Sequence, residues 1–175
     1  MERANALRAR LAELRQSFDR AFAEEQAPRR QEAIGVLSIR IGRDLHAVLL
    51  SDVAALDVRC AVTPVPSEHP ELLGIAGLRG AVVAVFDLAA LIGVPGGDAP
   101  WLLLAKGAPI AFAFAEFEAV VNVSERDLVR SQPGPGVHDR TIVLRQRQAL
   151  PLIDLAGLVG NLERRLHTAP RKDGG

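Results

Sequence analysis

The sequence predicts a mainly β protein that folds as two small barrels packed against each other, with short helices. The strongest sign is a near-repeat: residues 85–93 read VFDLAALIG, and residues 152–160, 67 positions later, read LIDLAGLVG. Both copies follow short apolar stretches that are separated by turn-forming residues, a pattern typical of β-strands. A repeat with a period above 60 residues favours two barrels over a solenoid of many short units.

A second, weaker repeat has an offset of 64 residues. It aligns Ala47 with Ala111, Val48 with Phe112, Leu50 with Phe114, Val53 with Phe117 and Leu56 with Val120. Each half therefore has roughly five strands and a capped helix, and the second half begins at about residue 98. A core of fewer than about 70 residues seldom supplies more than about 3 to 5 kcal/mol, so we expect the barrels to bury apolar faces against each other at a seam.

An amphipathic helix is predicted for residues 1–27, before the barrels begin. Residues 2–26 contain neither Gly nor Pro, and their large apolar residues recur at helical spacing: Leu7, Leu11, Leu14, Phe18 and Phe22. Pro28 and the charged residues after it predict a linker over 28–33. The sequence leaves open whether the helix packs against its own domain or acts as a short coiled-coil or docking arm.

The first half of the domain alternates strands and turns from residue 34. Its predicted elements are a hairpin of residues 34–41 and 45–50, a short turn or helical piece at 51–56, an extended stretch ending at Val65, and a hairpin of residues 74–78 and 81–86 around Arg79 and Gly80. Asp87 is placed to cap a short helix through its carboxylate, and Gly93 to end that helix in the left-handed conformation.

The second half repeats this plan. Its predicted elements are a hairpin of residues 101–105 and 109–114, an irregular piece at 115–120, a helical turn at 124–127, a loop at 132–136, and a last hairpin of residues 140–144 and 148–153. Asp154 then caps a helix that ends near Leu166. Residues 167–175 are expected to form a flexible tail outside the 34–166 domain.

The charge balance argues against two classes of partner. The sequence has 21 basic and 21 acidic side chains, so there is no excess of positive charge to bind a nucleic acid or an anionic membrane.

Cys60 is the only cysteine, which excludes an internal disulfide. With no signal peptide and no apolar run of about 18 residues, the sequence predicts a cytosolic protein without direct membrane insertion.

No motif predicts catalysis, a metal site or a cofactor. The four histidines lie far apart in the sequence, and no pair has the spacing of metal ligands. There is no Gly-x-Ser-x-Gly motif, and the glycine-rich residues 93–97 lack the Lys-Ser or Lys-Thr of a phosphate-binding loop. Asp87 and Asp154 share one local context, which favours two helix caps over a catalytic pair of carboxylates.

What remains is an interaction surface. Arg79 lies in a tight turn between two apolar strands, where packing gives no reason for a charge, so its guanidinium is expected to project outward. Apolar residues also occur in the predicted irregular segments, where they either plug the ends of the barrels or form an exposed patch. These residues are Val53, Leu56, Leu72 and Leu73.

Residues 71–93, ELLGIAGLRGAVVAVFDLAALIG, resemble the signature of the CheW family of chemotaxis coupling proteins. That signature has a Gly-Val-x-Asn-Leu-Arg-Gly turn, a strand ending in Pro-Val-x-Asp-Leu, and a Leu-rich helix that closes on Gly. The resemblance covers residues 34–160, and the Leu-Arg-Gly segment is its most specific part. It implies two packed five-stranded SH3-like β-barrels without catalytic activity or a cofactor, to which this chain adds its N-terminal helix.

The resemblance also implies partners. Family members link the cytoplasmic tips of chemoreceptors to the regulatory domain of the histidine kinase CheA, in signalling arrays at the membrane. By position, Val53 and Gly74 correspond to residues implicated in binding the kinase, and Arg79 corresponds to the signature arginine implicated in receptor coupling. The seam between the barrels would receive the receptor's helical hairpin. The residues expected to contribute there are Leu56, Ile75, Leu78 and Phe117.

The chain departs from the family pattern at four positions. Ala55 stands where the family often has an acidic residue, Gly77 where the signature has Asn, Ala84 where it has Pro, and Ala115 where the second half often has Asp. The alternative is therefore a specialised CheW-like protein of an accessory motility pathway, gliding or pilus, with a changed partner.

Two other classes of function would need features of their own. An enzyme on paired barrels would need a deep polar pocket, and a nucleic-acid-binding barrel would need a basic, aromatic strand face.

Overall fold

The computed structural model of the chain describes residues 33–130, 136–143 and 149–168. Its strands are β1 Ile34–Ile41, β2 Asp44–Leu49, β3 Val53–Val58, β4 Val62–Thr63, β5 Leu72–Leu78, β6 Ala81–Asp87, β7 Trp101–Ala105, β8 Ile110–Phe114, β9 Glu116–Val123, β10 Leu128–Arg130, β11 Val137–Val143 and β12 Ala149–Ile153. The helices are α1 Leu88–Ile92 and α2 Leu155–Thr168, with 3-10 turns at Leu50–Asp52 and Glu125–Asp127. The predicted N-terminal helix, residues 28–32 of the predicted linker, residues 132–135 of the predicted loop, and residues 169–175 of the predicted tail lie outside the described residues.

The strands form two sheets, which confirms the mainly β prediction. Sheet A has the order β10-β11-β12-β2-β1-β9, and sheet B the order β3-β7-β8-β6-β5-β4. Each sheet therefore has six strands, where the sequence predicted barrels of five. The extra strands are short: β4 has 2 residues and β10 has 3.

The two sheets do not divide the chain near residue 98. The β1–β2 hairpin of the first half lies in sheet A with β9–β12, and the β7–β8 hairpin of the second half lies in sheet B with β3–β6. Each half thus places its first hairpin in the sheet of the other half. A boundary in the sequence cannot separate the barrels, because every sheet contains strands from both sides of it.

The exchanged hairpins pair in equivalent ways. In sheet B, β6 runs parallel to β8, with Val85 opposite Ala111 and Phe86 opposite Phe112. In sheet A, β12 runs parallel to β2, with Leu152 opposite Ala47 and Ile153 opposite Val48. These are the positions that the offsets of 67 and 64 residues relate to each other. The halves are consequently arranged with approximate twofold symmetry.

Both predicted aspartate caps are present. Asp87 Oδ1 accepts from the backbone N–H of Ala89 at 2.9 Å, and Gly93 ends α1 with a φ of 74°. Asp154 Oδ1 accepts from the backbone N–H of Gly157 at 2.8 Å, at the start of α2. The predicted turn with a serine cap is also found at Glu125–Asp127, where Ser124 and Asp127 form a capping box. The two aspartates are therefore structural.

The prediction of irregular structure at 51–56 and 115–120 is wrong. Only Leu50–Asp52 is a 3-10 turn; Val53–Val58 forms the edge strand β3, and Glu116–Val123 forms β9. The strands arise because β3 pairs with β7 and β9 pairs with β1, two contacts between distant parts of the chain. A third difference is smaller: α2 continues to Thr168, beyond the predicted end near Leu166.

The apolar core has three parts. A shared cluster lies between the sheets, and each sheet has a smaller cluster on its other face. Strand β8 shows the arrangement: Ile110, Phe112 and Phe114 belong to the shared cluster, whereas Ala111 and Ala113 belong to the cluster of sheet B. Helices α1 and α2 also pack their apolar side chains into the shared cluster. The predicted seam is thus the largest part of the core.

Candidate functional site

The β5–β6 hairpin exposes apolar side chains on one face. Along β5, exposed and buried residues alternate from Leu73 to Leu78, and Gly77 pairs with Val82 across the hairpin. The exposed fractions are 39% for Leu73, 38% for Ile75 and 68% for Val82. We call Leu73, Ile75, Gly77 and Val82 the exposed hairpin face. Large apolar side chains grouped at the surface of a soluble domain commonly mark a site of protein interaction.

The turn of this hairpin places Arg79 at the end of the exposed hairpin face. Arg79 and Gly80 both have positive φ angles, 49° and 81°, as in a type I′ turn. Asn, Asp or Gly usually occupies the position of Arg79, because a left-handed backbone is strained for other residues. The side chain is exposed, as predicted, and forms no ion pair with another described residue. Strain at an exposed arginine is consistent with a role for its side chain outside the fold.

Gly74 is buried and has the least freedom of the predicted site residues. Its φ is 145°, and a Cβ built there would lie 2.1 Å from the backbone oxygen of Thr63 in β4 and 2.9 Å from the Cα of Pro64. The position coincides with a register shift between Leu72 and Gly74 in the β5–β6 ladder. Any side chain at Gly74 would push β4 away from β5. Gly74 therefore positions this edge of sheet B and has no side chain with which to contact a partner.

The other predicted site residues lie in different parts of the structure. Leu56 is partly buried and Phe117 is buried in the shared cluster, so these two do lie at the seam between the sheets. Val53 is buried in the same cluster, with 1% of its surface exposed. Leu78 lies in the cluster of sheet B, on the face of β5 opposite Ile75. Leu78 and Ile75 cannot both contact one ligand on the exposed hairpin face.

Trp101 is a seam residue that the sequence reasoning missed. Its ring centroid lies 5.8 Å from that of Phe117 and 6.3 Å from that of Phe114. The side chain is half-buried at the first position of β7, packed against the shared cluster. One signal in the sequence could have pointed to it: Trp101 is the only tryptophan in the chain. Tryptophan is enriched at interfaces, because it is a large apolar side chain with a polar N–H.

An ion pair fixes the segment that leads into β5. Arg165 Nη1 in α2 donates to Glu71 Oε1 at 2.8 Å, and Arg165 Nη2 lies 3.2 Å from His69 Nδ1. The hydrogen bond from Arg165 holds the pKa of Glu71 below its ordinary value, although burial opposes this effect. The backbone oxygen of Glu71 also accepts from the N–H of Asp87 at 2.8 Å. Helix α2 therefore holds the entrance to the strand that carries the exposed hairpin face.

Ala55 lies in β3 at the position where the resemblance predicts an acidic residue. Ala55 is buried, with 4% of its surface exposed, and is paired with Leu104 in β7. A carboxylate is therefore absent at the position where related sequences were expected to carry one. This chain keeps the arginine of the signature turn without that acidic residue.

A polar depression lies on sheet A, lined by residues of β1, β2 and β12. The described residues contain no group of three or more His, Cys, Asp or Glu side chains that is close enough to hold a metal ion. An open depression of about 520 Å³ lies beside Arg40 and His46. Arg40 Nε donates to Glu118 Oε1 at 2.9 Å, and burial lowers the pKa of His46. Among the described residues, no helix has the length and apolar character needed to cross a bilayer.

The comparisons with known proteins agree with this fold. A family model described as the CheW-like domain matches residues 35–163. Among solved structures, 15 chains match. One of them is the scaffolding protein TtCheW from Thermoanaerobacter tengcongensis, with a TM-score of 0.63 and 15% sequence identity; the match covers 69% of this chain and 88% of that chain. A search of curated protein sequences gave no match.

Proposed function

The chain belongs to the family of CheW-like domain proteins, and on that premise we propose that it is a non-enzymatic scaffold of a bacterial chemosensory system. In this proposal it couples chemoreceptors to a CheA-type histidine kinase. It would act in the cytoplasm, at receptor arrays associated with the membrane. The coupling requires two binding surfaces and no chemistry.

The exposed hairpin face is the observation that carries the proposal. Leu73, Ile75 and Val82 expose large apolar side chains beside Arg79, on a hairpin whose other face is buried. We assign this face and Arg79 to the receptor, because an apolar stripe beside an exposed guanidinium fits one side of an amphipathic helical hairpin. Leu56 and Trp101, which are partly buried, would extend the contact at the seam, and the buried Phe117 would support Trp101 through packing. Leu78 would act through packing, because it is buried in the cluster of sheet B.

The kinase surface is assigned to the β4–β5 edge of sheet B. Gly74 allows β4 to lie directly against β5, and Thr63 pairs with Ile75 across that contact. In this assignment Gly74 supports the surface from beneath, and its substitution would weaken kinase binding by moving the edge strand, without removing a side-chain contact. Val53 lies in β3, at the other edge of sheet B, and would act only through the packing of the shared cluster.

Binding measurements on two valine variants test the assignment of the receptor surface. Val82→Glu introduces a carboxylate on the exposed hairpin face, and Val129→Glu introduces the same group at an exposed position of β10 in sheet A, where Val129 is 48% exposed. We expect Val82→Glu to weaken binding of a receptor cytoplasmic fragment by about tenfold or more, because an unpaired carboxylate would be desolvated in the complex.

Isothermal titration calorimetry with the receptor fragment and with the kinase regulatory domain, each tested separately, gives the comparison. The matched Val129→Glu variant should bind the receptor fragment like the unsubstituted chain. Equal losses in the two variants, or no loss in either, would contradict the assignment of the receptor to the exposed hairpin face.

A specialised role in gliding or pilus motility is the second candidate. Two observations favour it: residues 1–34 precede the part of the chain that the family model matches, and β3 carries Ala55 where the resemblance predicts an acidic residue. Co-purification from cells separates the two candidates. Recovery of receptors together with the kinase supports general coupling, whereas recovery of the kinase or another protein without receptors supports the specialised role.

A further inference from the structure

Arg59 is an exposed residue whose backbone is strained in the same way as that of Arg79. Among the described residues, these two are the only ones other than glycine with a positive φ, 55° at Arg59 and 49° at Arg79. The Arg59 guanidinium forms no hydrogen bond or ion pair with another described residue. The proposed function gives a role to Arg79 but none to Arg59.

The bend that contains Arg59 joins the two edges of sheet B. Strand β3 is at one end of the strand order and β4 is at the other. Only residues 59–61 separate the two strands in the chain, so Val58 and Val62 are at most about 14 Å apart. Sheet B therefore curls until its two edges come close together at Arg59.

The backbone of Arg59 is held by the end of a strand ladder. Its N–H donates to the carbonyl oxygen of Pro100 at 2.7 Å, one step beyond the pair of Val58 with Trp101. Glycine would adopt the left-handed angle at this bend without strain. The arginine side chain makes no polar contact with a described residue that could offset the strain. An exposed residue of this kind is a candidate for a role in binding.

The register of β4 against β5 places Arg59 beside the edge that is assigned to the kinase. The two strands are antiparallel, with Val62 opposite Ala76. Continued over three residues, this register brings Arg59 level with Arg79. Cys60 packs against the cluster of sheet B, as this course of the chain requires. Arg59 therefore lies at the end of the β4–β5 edge that is nearest the hairpin turn.

The charges at the bend favour an acidic group as the ligand of Arg59. The nearest carboxylate along the chain is that of Asp57, and its Oδ1 accepts from the backbone N–H of Val58 at 2.8 Å. Asp57 forms no ion pair with Arg59. The planar guanidinium can therefore offer its donors to a carboxylate from outside the described chain, for which its geometry is well suited.

We propose that Arg59 binds a carboxylate of the kinase regulatory domain, at the bend between β3 and β4. The inference rests on the proposed function, in which the β4–β5 edge is the kinase surface. The kinase is the partner because Arg59 belongs to the segment that leads into β4, the outermost strand, whereas Arg79 belongs to the hairpin that carries the exposed hairpin face. The two strained arginines then serve different partners at one end of sheet B.

Calorimetric titration of the full chain with the kinase regulatory domain tests this inference. Arg59→Gly removes the guanidinium and relieves the backbone strain, so a loss of binding that accompanies a gain in thermal stability cannot result from unfolding. Arg43→Gly is the matched control, because it removes an exposed guanidinium from the turn between β1 and β2 of sheet A. We expect Arg59→Gly to weaken kinase binding about tenfold and Arg43→Gly to leave it unchanged.

The dependence on salt gives a second measurement. Because the contact is an ion pair, added salt should weaken kinase binding by the unsubstituted chain more than binding by Arg59→Gly. The inference alone is overturned if the unsubstituted chain binds the kinase domain and Arg59→Gly binds it equally well, or if Arg59→Gly loses affinity for a receptor fragment instead. If the unsubstituted chain does not bind the kinase domain, the proposed function is contradicted and this inference with it.

Discussion

At the scale of single residues, Gly74 and Arg79 both have positive φ angles, but one has a role in packing and the other is free to bind a partner. Gly74 is buried with a φ of 145° and faces the backbone of β4. Arg79 is exposed with a φ of 49° and forms no ion pair among the described residues. Gly74 allows β4 to pack against β5, whereas the left-handed backbone at Arg79 strains its turn. The family resemblance assigned both to partner binding.

Gly74→Ala should lower the free energy of unfolding by roughly 2 kcal/mol or more, because the new methyl group would overlap the Thr63 carbonyl and the backbone conformation disfavours a side chain. Gly77→Ala in the same strand is the matched control, since a Cβ there meets nothing within 4 Å. Its effect should stay within about 0.5 kcal/mol. Urea unfolding of the purified variants measures both, and equal losses would refute a positioning role for Gly74.

Arg79→Gly should raise the free energy of unfolding by roughly 0.5–1 kcal/mol, because Gly relieves the strain of a left-handed backbone. Arg59→Gly is the control: Arg59 is exposed and also has a positive φ, 55°. Both variants should gain stability in thermal unfolding, but only Arg79→Gly should lose affinity for a receptor fragment. If Arg59→Gly loses the same affinity, the binding role of the Arg79 side chain is excluded.

At the scale of elements, the sequence predicted most strands, the two aspartate caps and the turn at Arg79. These features depend on local signals: alternating apolar residues, a glycine or a capping carboxylate at a fixed position. It failed at β3 and β9, because their pairing partners β7 and β1 are distant in sequence. Trp101 and Arg165 were missed for the same reason, since each acquires its role from a contact that only the folded chain creates.

The contact between α2 and the segment before β5 should make stability depend on pH. The hydrogen bond from Arg165 lowers the pKa of Glu71 in the folded chain. The ion pair therefore contributes fully above the unfolded pKa of about 4.3, and this contribution is lost as the pH falls through the lower, folded value. Glu71→Gln should lose less stability than the unsubstituted chain between about pH 6 and pH 3.

Chemical unfolding at a series of pH values measures this difference. Glu68→Gln is the control, because Glu68 is exposed in the same segment. It should follow the unsubstituted chain. A Glu71→Gln curve that is parallel to that of the unsubstituted chain at every pH would show that the ion pair adds no pH-dependent stability.

At the scale of the whole molecule, the two halves are joined by exchanged hairpins. Because β1–β2 completes sheet A and β7–β8 completes sheet B, neither half holds all the strands of one sheet. The sequence revealed the duplication but not the exchange, since a repeat gives the number of copies and no information on which copy pairs with which. A scaffold built this way holds its two sheets in one fixed arrangement, as a protein that bridges two partners requires.

Sedimentation of a three-component mixture shows whether this chain bridges a receptor and a kinase, as we propose. The mixture contains a receptor cytoplasmic fragment attached to vesicles, a CheA-type regulatory domain, and this chain. The kinase domain should sediment with the vesicles only when the chain is present, Val82→Glu should strongly reduce the sedimented kinase domain, and Val129→Glu should not. Bridging is refuted if the chain recruits no kinase domain at tens of micromolar, or if Val82→Glu recruits as much as the unsubstituted chain.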